Sequence, residues 1–223
     1  MKPFKILEIK ESVYADNNRQ ANLLRDGLKK EKTFLLNLMS SPGSGKTTTV
    51  LRTIESLKNE IQIGVIEADI DSDVDACAVA KTGSKVIQLH TGGMCHLTAE
   101  MTKQGLTGLE SEGVDFVILE NIGNLVCPAE FDTGASKSAM ILSVPEGDDK
   151  PLKYPLMFSI VDVLLINKID ARDCFDFDFE ALEGRVKKLN PDIKIIRISA
   201  KTGEGFEEWI HWIRTEVEKW NKD

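Results

Sequence analysis

Seven short apolar runs punctuate this chain, at residues 34–39, 63–67, 85–89, 116–120, 138–143, 163–167 and 194–198. Most are continuous rather than alternating, which suits strands covered on both faces and therefore a parallel sheet. Between them, the spacing of apolar residues predicts helices over 47–58, 73–81, 96–107, 179–189 and 205–219. Strands and helices in this alternation predict an α/β fold of three layers: a mainly parallel sheet of about seven strands, with helices on both faces. An amphipathic stretch, 11–30, precedes the first strand and is expected to pack on the sheet's edge as a helix.

A chain of 223 residues suits one such domain. Residues 1–32 read as a helical extension packed on a domain of residues 33–223, and the loops at 145–149 and 171–177 are too short to divide it. With 42% apolar and 29% charged residues, the chain can bury a core without a disulfide framework. The excess of 36 acidic over 28 basic residues, net charge −8, argues against a general nucleic-acid binder. No run approaches the length of a membrane span, and Met1-Lys2-Pro3-Phe4 lacks a signal-peptide core, so membrane insertion is not expected and the cytoplasm is the expected compartment. The cysteines at 77, 95, 127 and 174 form no Cys-x-x-Cys pair, and a reducing compartment leaves them as thiols available for metal binding.

The first run leads into Ser40-Ser41-Pro42-Gly43-Ser44-Gly45-Lys46-Thr47-Thr48 and then into a predicted helix. Strand, glycine-rich loop and helix start form the context in which backbone N–H groups cradle phosphates, as in the P-loop NTPase fold. Gly43 and Gly45 lack the Cβ that would block close approach, and Ser44 and Thr48 complete the cradle. Lys46 is expected to neutralise the β/γ oxygens, and the Thr47 hydroxyl to ligate Mg²⁺. The usual G-x-x-x-x-G-K-[ST] pattern has glycine where this chain has Ser40.

A second motif, Asn167-Lys168-Ile169-Asp170, follows the run at 163–167 and resembles the base-recognition motif of GTPases. An aspartate there accepts from guanine N1–H and the exocyclic amine, donors that adenine lacks, so a wrong base leaves it unpaired. Ser199-Ala200-Lys201, at the end of the last run, matches the loop that closes over the base. Glu120-Asn121-Ile122-Gly123 stands where GTPases carry Asp-x-x-Gly, so Glu120 is placed near Mg²⁺ and the Gly123 N–H near the γ-phosphate. Asp69 is the second acid expected near the metal or the attacking water. Of Asp71, Asp73 and Asp75, which follow it, Asp75 is the best switch candidate, although any one of them also suits a solvated helix start.

Cys95-His96, after Thr91-Gly92-Gly93-Met94, and Cys127, before Pro128, bring together the ligand types that hold nickel or zinc. Three ligands leave a coordination sphere incomplete, and sharing the site across a two-fold dimer completes it.

Together these motifs resemble the HypB family of hydrogenase nickel-incorporation GTPases, in the SIMIBI class of P-loop proteins. The resemblance rests on residues 40–48, on Thr91-Gly92-Gly93-Met94-Cys95-His96-Leu97, on 120–129, on Glu146-Gly147-Asp148-Asp149 and on 167–170. Ser40 agrees with this family. The resemblance implies GTP hydrolysis to GDP, Ni²⁺ or Zn²⁺ at Cys95, His96 and Cys127, and Mg²⁺ near Thr47 and Glu120, to which the position of Asp69 at the end of its strand adds a third Mg²⁺ residue; slow intrinsic turnover is expected because no glutamine or arginine in these motifs is placed to orient water or neutralise the transition state. Beside the resemblance, the motifs themselves mark Lys46, Asp69, Asp75 and Glu120 as the catalytic candidates. The resemblance also implies a homodimer in the GTP state, with Lys153 reaching a nucleotide across it or standing as a solvated lysine. The implied partners are a HypA-like nickel chaperone and a hydrogenase large subunit. Residues 1–32 hold neither the cysteine motif nor the histidine tract that some members carry, so high-affinity nickel storage is not expected. A urease-type UreG relative and a P-loop kinase or synthetase are the alternative readings.

Overall fold

A computed structural model describes residues 9–69 and 73–222, with side chains from residue 13 onward. Among these, the strands are β1 (Phe34–Ser40), β2 (Ile63–Asp69), β3 (Lys85–His90), β4 (Phe116–Glu120), β5 (Lys137–Ser143), β6 (Val163–Asn167) and β7 (Lys194–Arg197). They form one sheet in the order β3-β2-β4-β1-β5-β6-β7, and every pairing is parallel. The helices are α1 (Ile9–Glu31), α2 (Lys46–Leu57), α3 (Val74–Ala80), α4 (Ala99–Gly108), α5 (Cys127–Glu130), α6 (Lys150–Lys153), α7 (Pro155–Ile160), α8 (Phe179–Leu189) and α9 (Phe206–Lys222).

The period-two geometry of β1 explains its unbroken apolar run. Phe34, Leu36 and Leu38 pack with Val50, Ile54 and Leu57 of α2 and with Trp209, Ile213 and Val217 of α9. On the opposite face, Leu35 packs with Leu28 of α1 and Leu106 of α4, and Met39 with Met157 and Phe158 of α7 and Leu182 and Val186 of α8. Each such side chain contributes roughly 1.5–3 kcal/mol when fully buried. The buried Trp209 indole N–H donates to Thr53 Oγ1 at 3.0 Å, which ties α9 to the helix that follows the glycine loop.

The sheet expected from the sequence is present, and it is all-parallel. Two expectations about helices are corrected, and three short helices are added. The first helix does not lie on the sheet's edge: Leu28 of α1 enters the core of one face, and buried Asn17 donates to Asp132 O and accepts from the Ala99 N–H. The expected helix 96–107 begins instead at Ala99, because Thr98 is extended (φ −98°, ψ 169°) and its Oγ1 accepts from the Met101 N–H, which leaves His96 and Leu97 in the preceding loop. The short helices α5, α6 and α7 were not anticipated. Each carries a proline in its first turn, and Pro155 separates α6 from α7 at Tyr154, since the residue before proline is pushed out of helical conformation.

Candidate functional site

The loop between β1 and α2 leaves the carboxyl end of the central strand, with β4 on one side and β5 on the other. This is the switch point at which parallel α/β sheets bind ligands. Gly45 caps α2 in left-handed conformation (φ 98°), where an added Cβ would come within 2.5 Å of Asn167 Nδ2. Glycine is therefore required there by backbone angle and by space. Gly123 approaches the loop from the other side, where a Cβ would stand 3.1 Å from Pro42. The Lys46 ammonium donates to Ser40 Oγ at 2.9 Å, and Ser40 in turn donates to Ser41 O at 2.7 Å. The residue that departs from the general pattern thus holds the lysine. Ser44 is buried and its hydroxyl has no partner, whereas Thr48 is exposed. The Ser41 hydroxyl donates to the Glu146 carboxylate, which also accepts from the Ser143 N–H at 2.8 Å.

Asn167 joins two loops. Its Nδ2 donates to Ser44 O at 2.9 Å and its Oδ1 accepts from the Ala200 N–H at 3.0 Å. Lys168, at φ 63°, donates to Gly43 O at 2.6 Å. Ser199 Oγ donates to Asp170 Oδ1 at 2.6 Å. Sequence motifs far apart in the chain therefore meet around the glycine loop. Lys153 lies outside this cluster, exposed and ion-paired with Asp149 at 2.6 Å, a contact that raises its pKa.

Beside Lys46 lies a polar cavity of about 60 Å³, lined by Lys46, Asp69, Asp75, Glu120 and Gly123 together with Glu67 and Gln88. Glu67 was not singled out from the sequence. It faces Glu120 across the β2–β4 pairing and Gln88 across the β2–β3 pairing. Burial, then repulsion from Glu120, pushes the Glu67 carboxyl far above its ordinary value; burial also raises Glu120, partly offset by the Lys46 charge. Glu67 Oε1, Glu120 Oε2 and Gln88 Nε2 are buried without partners. Oxygen donors next to the Thr47 hydroxyl, with unmet bonding capacity, fit a hard divalent cation such as Mg²⁺. The available signal was an acid set between apolar residues within β2, Val65-Ile66-Glu67-Ala68. Asp71 lies outside the described residues.

Cys95 and Cys127 come together, and a hydrogen bond from this neighbour, followed by burial, raises the Cys95 pKa. His96 Nδ1 stands 3.9 Å from Cys95 Sγ, and its ring stacks on Phe131 with centroids 3.8 Å apart. Burial lowers the His96 pKa, which favours the neutral imidazole, the form that ligates metal. Asn124 ties the segment together: its Nδ2 donates to Cys95 O at 3.4 Å and its Oδ1 accepts from the Val126 N–H at 2.9 Å. Among the described residues, no group of three or more His, Cys, Asp or Glu side chains is arranged to hold a metal ion.

An all-parallel sheet with a lysine-bearing glycine loop at its switch point defines a P-loop nucleotide-binding protein, and residues 34–197 match the family described as "CobW/HypB/UreG, nucleotide-binding domain". The chain is 45% identical over 209 residues to the hydrogenase maturation factor HypB of Azotobacter chroococcum, covering 94% of this chain and 68% of that one. The crystal structure of HypB from Archaeoglobus fulgidus superposes with a TM-score of 0.85 at 38% identity, covering 91% of this chain and 99% of that one. HypB from Helicobacter pylori, solved in complex with nickel, superposes with a TM-score of 0.86 at 37% identity, covering 92% and 96%. This chain belongs to the HypB family of hydrogenase maturation factors. No helix among the described residues is long and apolar enough to cross a membrane.

Proposed function

We propose that the protein is a slow GTPase that delivers nickel during [NiFe]-hydrogenase maturation, with GTP controlling both its dimerisation and its metal site. The observation that carries this reading is the continuity of one segment. Residues 120–127 start at the buried Glu120 beside Lys46, pass Asn124, which holds the Cys95 carbonyl, and end at Cys127 against Cys95. A change at the phosphate end is thereby communicated to the thiols.

In this reading residues 33–223 form one nucleotide-binding domain that carries 1–32 as a helical extension, and the protein works in the cytoplasm. Gly43, Ser44, Gly45, Thr47, Thr48 and Gly123 hold the phosphates, and Lys46 neutralises them. Asn167, Lys168 and Asp170 with Ser199, Ala200 and Lys201 select guanine. Thr47, Glu120 and Asp69 hold Mg²⁺, which supplies positive charge to the β/γ oxygens when bound. Asp75 reaches the same cavity and orders with the nucleotide. Among the described residues no arginine lines that cavity, although Gln88 does, and the missing arginine supports slow turnover. Cys95, His96 and Cys127 supply ligands to the cargo nickel, or to zinc in its place, and a second subunit completes the sphere. Leu152 on α6, Leu156 and Ile160 on α7, and Val126 next to Cys127 in the chain are exposed and support a dimer on this side. A HypA-like chaperone and the hydrogenase large subunit are the proposed donor and acceptor, and Lys153 the proposed contact across the dimer.

The test is a Ni²⁺ titration with and without a non-hydrolysable GTP analogue. Wild type should bind more tightly with the analogue, and Cys95→Ala should lose on the order of tenfold or more in affinity. Unchanged stoichiometry and affinity in the variant would remove the thiol site. ATP competing as well as GTP would remove the assignment of Asn167 and Asp170.

A further inference from the structure

Arg52 lies on α2, the helix that begins with Lys46, and its side chain reaches away from the phosphate loop to the segment after β7. Its Nε donates to Ala200 O at 2.7 Å and its Nη2 to Lys201 O at 2.9 Å. Its guanidinium stands 5.7 Å from the ring centroid of Phe206. Gly203, at φ 93°, leaves the space this requires, since a Cβ there would fall 2.8 Å from Arg52 Nη1. The same short segment is held from the opposite side, where the Ala200 N–H donates to Asn167 Oδ1 at 3.0 Å and Ser199 Oγ to Asp170 Oδ1 at 2.6 Å.

Ala200 is therefore gripped through both its N–H and its C=O, by residues from two different elements. Two consecutive carbonyls match the fixed fork of a guanidinium, and a lysine ammonium at the end of a flexible stem cannot serve both with the same preorganisation. We propose that Arg52 is a positioning residue for base recognition, which fixes the Ser199-Ala200-Lys201 segment at the height where it meets a guanine held by Asp170. The proposal rests on the reading that this segment and Asp170 bind guanine. It adds that base selectivity is set in part from the phosphate-binding helix, so that Arg52 joins Asn167 in holding the two halves of the nucleotide site in one register.

Lys46 at the start of α2 and Arg52 in its middle serve different parts of the ligand, which makes the idea testable. Inorganic tripolyphosphate touches only the phosphate loop, whereas GDP needs the base-side segment as well. Affinities of the full-length wild type, Arg52→Ala and Arg52→Lys for both ligands would be measured by competition against a fluorescent GDP analogue, alongside thermal melting. Arg52→Ala should weaken GDP about tenfold and leave tripolyphosphate within about twofold, with Arg52→Lys intermediate, because two charge-assisted hydrogen bonds are lost or partly kept. If Arg52→Ala proves too unstable to assay, Arg52→Lys carries the comparison, with a GDP loss of about threefold and unchanged tripolyphosphate binding expected. Equal weakening of both ligands with a lowered melting temperature would mean that Arg52 only stabilises the fold, and would overturn the proposal. Unchanged GDP affinity would overturn it as well. Wild type binding ADP as tightly as GDP would overturn the guanine reading itself, an outcome separable from the others because it needs no variant.

Discussion

Glu67 and Glu120 stand side by side on adjacent strands, and burial holds both carboxyls protonated above their ordinary range. For a carboxyl whose folded pKa is raised, the unfolded chain releases its proton first as pH rises, so the native state loses stability above the ordinary value near 4.5. Metal-free, nucleotide-free protein should therefore melt at progressively lower temperature from about pH 5 to about pH 8. Glu67→Gln should flatten that slope and raise the melting temperature at the alkaline end; parallel slopes for wild type and variant would refute the assignment. At this scale the sequence exposed residues whose role is written in their neighbours. Lys46 after Gly45, and Asn167 three residues before Asp170, are recognisable from spacing alone. Glu67 was hidden because its meaning depends on Glu120 and Gln88, which reach it only through strand pairing.

Among the elements, α4 shows how a local cap decides a boundary. Apolar periodicity carried the expected helix back to residue 96, but Thr98 is extended and accepts from the Met101 N–H, so α4 starts at Ala99. That one-residue decision frees His96 to sit in the loop beside Cys95. Thr98→Ala should cost about 1 kcal/mol of stability by chemical denaturation. A loss below about 0.3 kcal/mol would show that the Asn17 side chain, which accepts from the Ala99 N–H, suffices as the cap. The strands were legible because burial on both faces leaves a continuous apolar run. The helices α5, α6 and α7 were not, because four to six residues hold too few turns for a period to register, and only their prolines mark them.

For the whole molecule, the decisive feature is the surface on which α6 and α7 expose Leu152 (67%), Leu156 (47%) and Ile160 (43%), with α7 packed against α5, the helix that begins at Cys127. Such a stripe is costly to leave in water unless something covers it. Replacing Leu152 and Leu156 together by aspartate should keep the protein monomeric in the presence of a GTP analogue, with nucleotide affinity within about twofold of wild type, as read by sedimentation and fluorescence titration. A persistent dimer would place the interface elsewhere. What the sequence determined by itself is the α/β class, the glycine loop with its lysine, the Asn-Lys-x-Asp motif and the family, because apolar period, glycine spacing and short polar motifs are local and survive without knowledge of the fold. Only the tertiary structure decided that α1 covers a face of the sheet, that Glu67 confronts Glu120, that His96 stacks on Phe131 and that Arg52 grips Ala200. Each of these joins residues from different elements, and strand order, register and loop direction, which no local pattern encodes, determine which side chains share a space.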